Sequence, residues 1–150
     1  AEPQSWSIIP LTNAMRPVRT TILVVENEAI ICLELAYWLE KMGSEVLRAN
    51  DADQAIALMG AHSNIRLLVT DIRMPGSMDG VRLAHHVRDR WPPVKIIVAS
   101  GIIDTPPSAL PKRSVFIAKP YKPQELWAAA SQLIPGRGPR PAANQAFLPF

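Results

Sequence analysis

Thr21-Ile-Leu-Val-Val-Glu-Asn-Glu28 opens the patterned part of the chain, and its first five residues decide the fold. A strand with one wet face would alternate apolar and polar side chains. An unbroken aliphatic run predicts instead a strand covered on both faces, as in a parallel sheet flanked by helices. Outward from this run the pattern repeats. Residues 29–42 are helix-sized, with Ile30, Ile31, Leu33, Leu35, Tyr37, Trp38, Leu39 and Met42 giving a broad apolar face and Gly43 a stop. A short strand at 45–48 leads to a helix through Gln54, Ile56, Leu58 and Met59, capped by Asn50 or Asp51. Strands follow at 66–70, 94–99 and 115–118, with helices at 79–91 and from Pro123 to about residue 134. Between 102 and 113, Pro106, Pro107 and Pro111 remove amide donors, so the fourth helix is expected to be short or missing. Five β-then-α units predict an α/β fold: a single doubly wound, five-stranded parallel sheet with right-handed crossovers.

Composition bounds what such a domain can do. The chain has 150 residues, 48% of them hydrophobic and 19% charged, which suits one globular domain with appendages. No apolar run approaches the roughly 18 residues of a membrane span. One cysteine, Cys32, cannot form an internal disulfide, and no secretory signal opens the chain, so a cytoplasmic location is expected. Residues 21–134 carry twelve Lys and Arg against twelve Asp and Glu, so the net charge of +3 belongs to the flanks. That distribution argues against a nucleic-acid-binding module. The flanks are expected to be an N-terminal extension at 1–19 and a flexible tail at 135–150, rich in Pro, Gly and Arg, around a domain at 20–134.

In an open parallel sheet, ligands bind beyond the carboxyl ends of the strands, where strand order reverses. The first run ends at Glu26-Asn27, the third at Asp71, the fourth at Ser100-Gly101 and the fifth at Lys119-Pro120. Two acids, an amide, a hydroxyl and an amine, distant in sequence, are therefore expected on one rim.

The blocks Val24-Val-Glu-Asn-Glu28, Val69-Thr-Asp-Ile-Arg-Met-Pro75 with Met78-Asp-Gly80, Val98-Ala-Ser-Gly101 and Phe116-Ile-Ala-Lys-Pro120 resemble the signature segments of response-regulator receiver domains of two-component signalling. The resemblance runs from about residue 20 to 133, and the details around Gly76 and Tyr121 are similar to small stand-alone bacterial receivers. It implies the flavodoxin-like (βα)5 architecture. Asp71 would be the phosphoacceptor, taking a phosphoryl group from a histidine kinase or histidine phosphotransfer protein. Lys119 and Ser100 would bind the phosphoryl group, with Phe116 as the aromatic switch. Mg²⁺ would be held by Glu26, Asn27, Asp71 and the backbone carbonyl of Arg73.

Asn27 departs from the family, which carries a second carboxylate there; a neutral amide predicts weaker Mg²⁺ binding. The same residue could instead cap the first helix. The departure keeps open an alternative: a pseudo-receiver that binds partners without phosphorylation. An aspartate-nucleophile phosphatase would need an acid two residues after Asp71, where Arg73 stands, so no enzyme is expected beyond self-phosphorylation. The sixteen residues after Ile134 are too few for an output domain, so a downstream protein target or a homodimer would carry the signal, without nucleic acid or membrane. Trp38 and Trp127 are interface or core residues, His85 and His86 surface or partly buried, and Cys32 an inert core residue. The apolar stretches at 6–11 and 146–150 have no predicted home.

Overall fold

The computed structural model describes residues 20–101 and 106–134. The stretches 1–19, 102–105 and 135–150 lie outside the described residues, and with them the expected extension, the tail and the apolar stretches at 6–11 and 146–150.

Five strands, β1 (Thr21–Val25), β2 (Glu45–Ala49), β3 (Ile65–Asp71), β4 (Lys95–Ser100) and β5 (Ser114–Ala118), form one sheet in the order β2-β1-β3-β4-β5. Every neighbouring pair is parallel. The helices are α1 (Ala29–Lys41), α2 (Ala52–Ala61), α3 (Gly80–Arg90) and α4 (Pro123–Leu133). Among the described residues between β4 and β5, a 3₁₀ turn, Pro107–Ala109, stands where a further helix would, in keeping with the three prolines.

All five residues of β1 are buried, which is the double coverage their aliphatic run implied. Leu23 and Val25 join β3, β4, α2 and α3 in one core. Ile22 and Val24 join α1 and α4 in the other, with Leu126, Trp127 and Ala130. Trp127 is thus a core residue, only 7% exposed, while Trp38 is half-buried. Local signals act where expected. Asp51, rather than Asn50, caps α2 by accepting the amide of Gln54 at 2.9 Å, a bond worth about 1 kcal/mol. Gly43 follows α1 at φ 103, a left-handed conformation that costs glycine little.

Three expectations are corrected. The broad apolar face of α1 divides: Cys32, Leu35, Ala36 and Leu39 are buried, whereas Ile30, Leu33 and Tyr37 stand exposed. Asp71 and Ser100 are the last residues of β3 and β4, one register step longer than the apolar runs suggested, so strand pairing fixes their backbones. Asn27 does not cap α1; Glu28 holds that position, with no side-chain capping bond.

Candidate functional site

The order of strands reverses between β1 and β3, since the chain passes from β1 outward to β2 and returns to β3 on the other side. At the carboxyl ends of these two strands stand Glu26 and Asp71, and the amine reaching them comes from Lys119, just after β5. Lys119 Nζ donates to Asp71 Oδ2 at 3.1 Å and lies 3.6 Å from Glu26 Oε1. Pairing holds the backbones in place: Glu26 donates its amide to Ala49 O at 3.0 Å, Ile72 to Ala99 O at 3.2 Å and Lys119 to Ser100 O at 3.0 Å. The Lys119–Pro120 peptide is cis.

Glu26 is the buried member, 3% exposed, and Glu28 N–H donates to its Oε2 at 3.1 Å. Burial raises its pKa above the ordinary carboxylate value, against the lowering pull of the Glu28 amide and of Lys119. Lys119 loses some basicity to burial, but its hydrogen bond to Asp71 and the charges of Asp71 and Glu26 outweigh that, and its pKa is raised. The cluster thus concentrates two carboxylates around one ammonium and keeps a formal excess of negative charge.

Other expected residues fall around this centre in different ways. Ser100 is buried at the end of β4, one position beyond Ala99, the residue opposite Asp71. Asn27, one residue past Glu26, and Arg73, two past Asp71, are exposed. Phe116 sits in β5 opposite Val98 and packs, half-buried, on the α2–α3 core. His85 is exposed and its Nε2 lies 2.7 Å from Ala109 O, while His86 is partly buried near Trp91. Neither approaches a metal-ligand arrangement. Cys32 is buried and its thiol pKa is raised by burial, the state of an unreactive thiol.

Sequence reasoning missed two contributors. Tyr121 lies two residues past Lys119, and burial, reinforced by the charges of Glu26, Asp71 and Glu34, pushes its phenol up to about 12. With Ile31, Glu34, Leu35, Gly101 and Lys119 it lines a groove of about 460 Å³ between α1 and the β5–α4 connection. Gly80 opens α3 directly against Asp71: a Cβ there would collide with the Asp71 carbonyl oxygen. Asp79 caps α3 by accepting the Arg82 amide at 2.9 Å, and the close approach of Gly80 to Asp71 is tertiary.

The oxygen donors suit a hard divalent cation. Two carboxylates with surplus charge, an adjacent amide at Asn27 and a backbone carbonyl at Arg73 are the ligand types Mg²⁺ accepts while keeping several waters. Among the described residues no group of three or more His, Cys, Asp or Glu side chains gathers to hold a metal, so the site offers two carboxylates rather than three. Also among the described residues, no helix is long and apolar enough to cross a membrane.

The family model described as "Response regulator receiver domain" matches residues 22–131. The chain is 30% identical over 128 residues to the hydrogenase transcriptional regulatory protein HoxA of Cupriavidus necator, covering 83% of this chain and 26% of that protein. It is 31% identical over 117 residues to the transcriptional regulatory protein ResD of Bacillus subtilis, covering 77% of this chain and 48% of that one. The chain therefore spans a quarter to a half of the length of these curated relatives. Among solved structures, a response regulator receiver protein from Sinorhizobium medicae superposes with a TM-score of 0.72 at 30% identity, over 77% of this chain and 94% of that one. The response regulator TrrA of Thermotoga maritima, solved in complex with Mg²⁺-BeF, gives 0.67 at 26% identity over 77% and 99%.

Proposed function

The chain belongs to the response regulator receiver domain family, and from that membership we propose that residues 20–134 form a phosphorylation-controlled switch with Asp71 as acceptor. The observation that carries this reading is the contact of Lys119 with Asp71 at 3.1 Å beside buried Glu26. A carboxylate oxygen of Asp71 attacks the phosphorus of a phosphohistidine on a histidine kinase or phosphotransfer protein. The P–N bond breaks, its electron pair leaves on the imidazole nitrogen, and Asp71 becomes an acyl phosphate. Lys119, held in place before transfer, neutralises charge on the phosphoryl oxygens without reorganising. Ser100 donates its hydroxyl to the arrived phosphoryl group and Phe116 repacks in response, so the altered surface passes the signal to a downstream protein.

Glu26, Asn27, Asp71 and the carbonyl of Arg73 would hold Mg²⁺, which when bound supplies positive charge to the transferring group. Receiver domains generally use this ion. Asn27 contributes a dipole where a carboxylate would contribute a full charge, so the affinity is lower than in relatives with an acid there. The exposed amide at Asn27 is also what favours the second reading, an interaction module that works without phosphorylation. The chain is a substrate and switch rather than a classical enzyme, and a cytoplasmic setting suits it.

Intact mass after incubation with a small acyl-phosphate donor and Mg²⁺ decides between the two. A gain of one phosphoryl group, absent in Asp71→Asn, supports the switch; no gain at any Mg²⁺ concentration overturns it in favour of the second reading.

A further inference from the structure

In a parallel α/β domain the strand carboxyl ends and helix amino ends share one rim, and the opposite termini share the other. The acceptor rim holds Glu26, Asp51, Asp71 and Asp79, with Lys119 and Arg73 among them. On the far rim stand Arg66 near the start of β3, Lys95 opening β4, Lys112 and Arg113 just before β5, and Arg88 and Arg90 in the last turn of α3. These are six of the twelve Lys and Arg between 21 and 134, so the neutral domain is electrically polarised. Asp89 shares the α3 turn; Glu40 and Glu45 share the rim but lie toward β2, the far edge of the sheet. Among the described residues none of the six cations has a carboxylate within ion-pair distance.

Arg88 builds this concentration of charge. It donates to Lys112 O at 3.1 Å, Arg113 O at 3.4 Å, Val94 O at 2.9 Å and Pro92 O at 2.6 Å. The turn it fixes presents two adjacent cations, and Arg113 is held there at φ 67, in the left-handed region that a side chain disfavours. Burial, then the charge of Arg113, lowers the Arg88 pKa. Like charges are thus brought together by the bonds that hold this turn. Beside them a groove of about 240 Å³ runs between Met59, Ile65, Trp91 and Val94, with Arg66 and Arg90 at its margin.

We propose that this rim docks an acidic segment of a partner protein, its carboxylates meeting the cations around Lys112 and Arg90 and an apolar side chain entering the Trp91 groove. A nucleic acid is disfavoured because Arg90 lies 5.1 Å over the Trp91 ring and covers one of the two faces open to base stacking. The groove is apolar and sized for a side chain, and its charged margin supplies orientation and encounter rate.

The test is fluorescence anisotropy on the full chain with three labelled probes: a peptide alternating Glu and Asp with Leu and Phe, its Gln/Asn counterpart, and a single-stranded oligonucleotide of equal charge. The acidic peptide is expected to bind, more weakly on raising salt, with the amide counterpart at least about tenfold weaker. The double variant Arg90→Glu/Lys112→Glu should weaken peptide binding by at least about tenfold while circular dichroism and phosphoryl transfer to Asp71 stay as in the parent. If charge reversal lowers thermal stability, Arg66→Gln/Lys112→Gln makes the same comparison without adding acids. Equal peptide affinity in parent and variants, tighter binding of the oligonucleotide, or no binding of the peptide overturns the proposal.

Discussion

Lys119 and Asp71 are 48 positions apart in sequence, yet the amine of one donates to the carboxylate of the other at 3.1 Å. The separation is bridged by the sheet: β3 pairs with β4 and β4 with β5, so two ladders set how near the two strand ends come. The contact is only partly solvated, with side-chain exposures of 26% and 13%. Its attraction is therefore less screened by solvent and salt than that of a surface pair.

Lys119→Ala should slow phosphorylation of Asp71 by about a hundredfold, measured with a small phosphodonor under saturating Mg²⁺. It also leaves Glu26 and Asp71 without their counter-charge, costing about 1 kcal/mol at neutral pH in urea unfolding. Because the folded-state pKa of Glu26 is raised, this deficit should shrink as the pH falls through it toward the unfolded value.

Glu26→Gln should raise the melting temperature at pH 7 by a few degrees. An acid whose folded pKa exceeds its unfolded value destabilises the fold above that pKa and costs nothing below both. The gain should vanish in acid. The same variant should lose Mg²⁺ affinity, which calorimetric titration reads directly.

Asn27→Asp should tighten Mg²⁺ by about tenfold, since a full charge replaces a dipole in a site that already has two carboxylates. An unchanged affinity in calorimetric titration would show that this side chain does not reach the ion.

Gly80→Ala should cost roughly 3 kcal/mol in chemical denaturation, because the added methyl meets the backbone of Asp71 and Ile72 rather than a side chain that can swing away. What remains folded should accept phosphoryl groups slowly, as relief of the clash moves the acceptor itself.

At alkaline pH the fold should weaken between about pH 10 and 12. The folded Tyr121 phenol ionises at about 12 against 10 in the unfolded chain, so the unfolded state loses its proton first and stability falls by about 2 kcal/mol across that window. Lys119, whose pKa is also raised, gives up its contribution in the same direction. Tyr121→Phe should flatten the tyrosine part, as followed by phenolate absorbance and urea unfolding at each pH.

The architecture was legible because its signals are local. The run after Thr21 states double burial by itself, the prolines from 106 to 111 forbid a full helix, and the Asn50-Asp51 pair marks the start of α2. The strand-end residues were legible through topology, which gathers them whatever loops intervene. Ile30, Leu33 and Tyr37 were not, since they repeat with the same helical period as the buried Cys32, Leu35 and Leu39. Periodicity reveals apolar stripes but not which of them a neighbour covers. The role of Gly80, the half-buried phenol of Tyr121 and the carbonyls bound by Arg88 all depend on contacts between segments that no single window contains.

Those carbonyls have a mechanical meaning. The 106–113 connection, with only one 3₁₀ turn of its own, lacks a long internal ladder to resist tension. Bracing by Arg88 and His85 means that a pull on β5 is passed to α3 instead of being absorbed in slack chain. Since α3 begins against the backbone of Asp71, one helix connects the outer edge of the sheet with the Lys119–Asp71 pair.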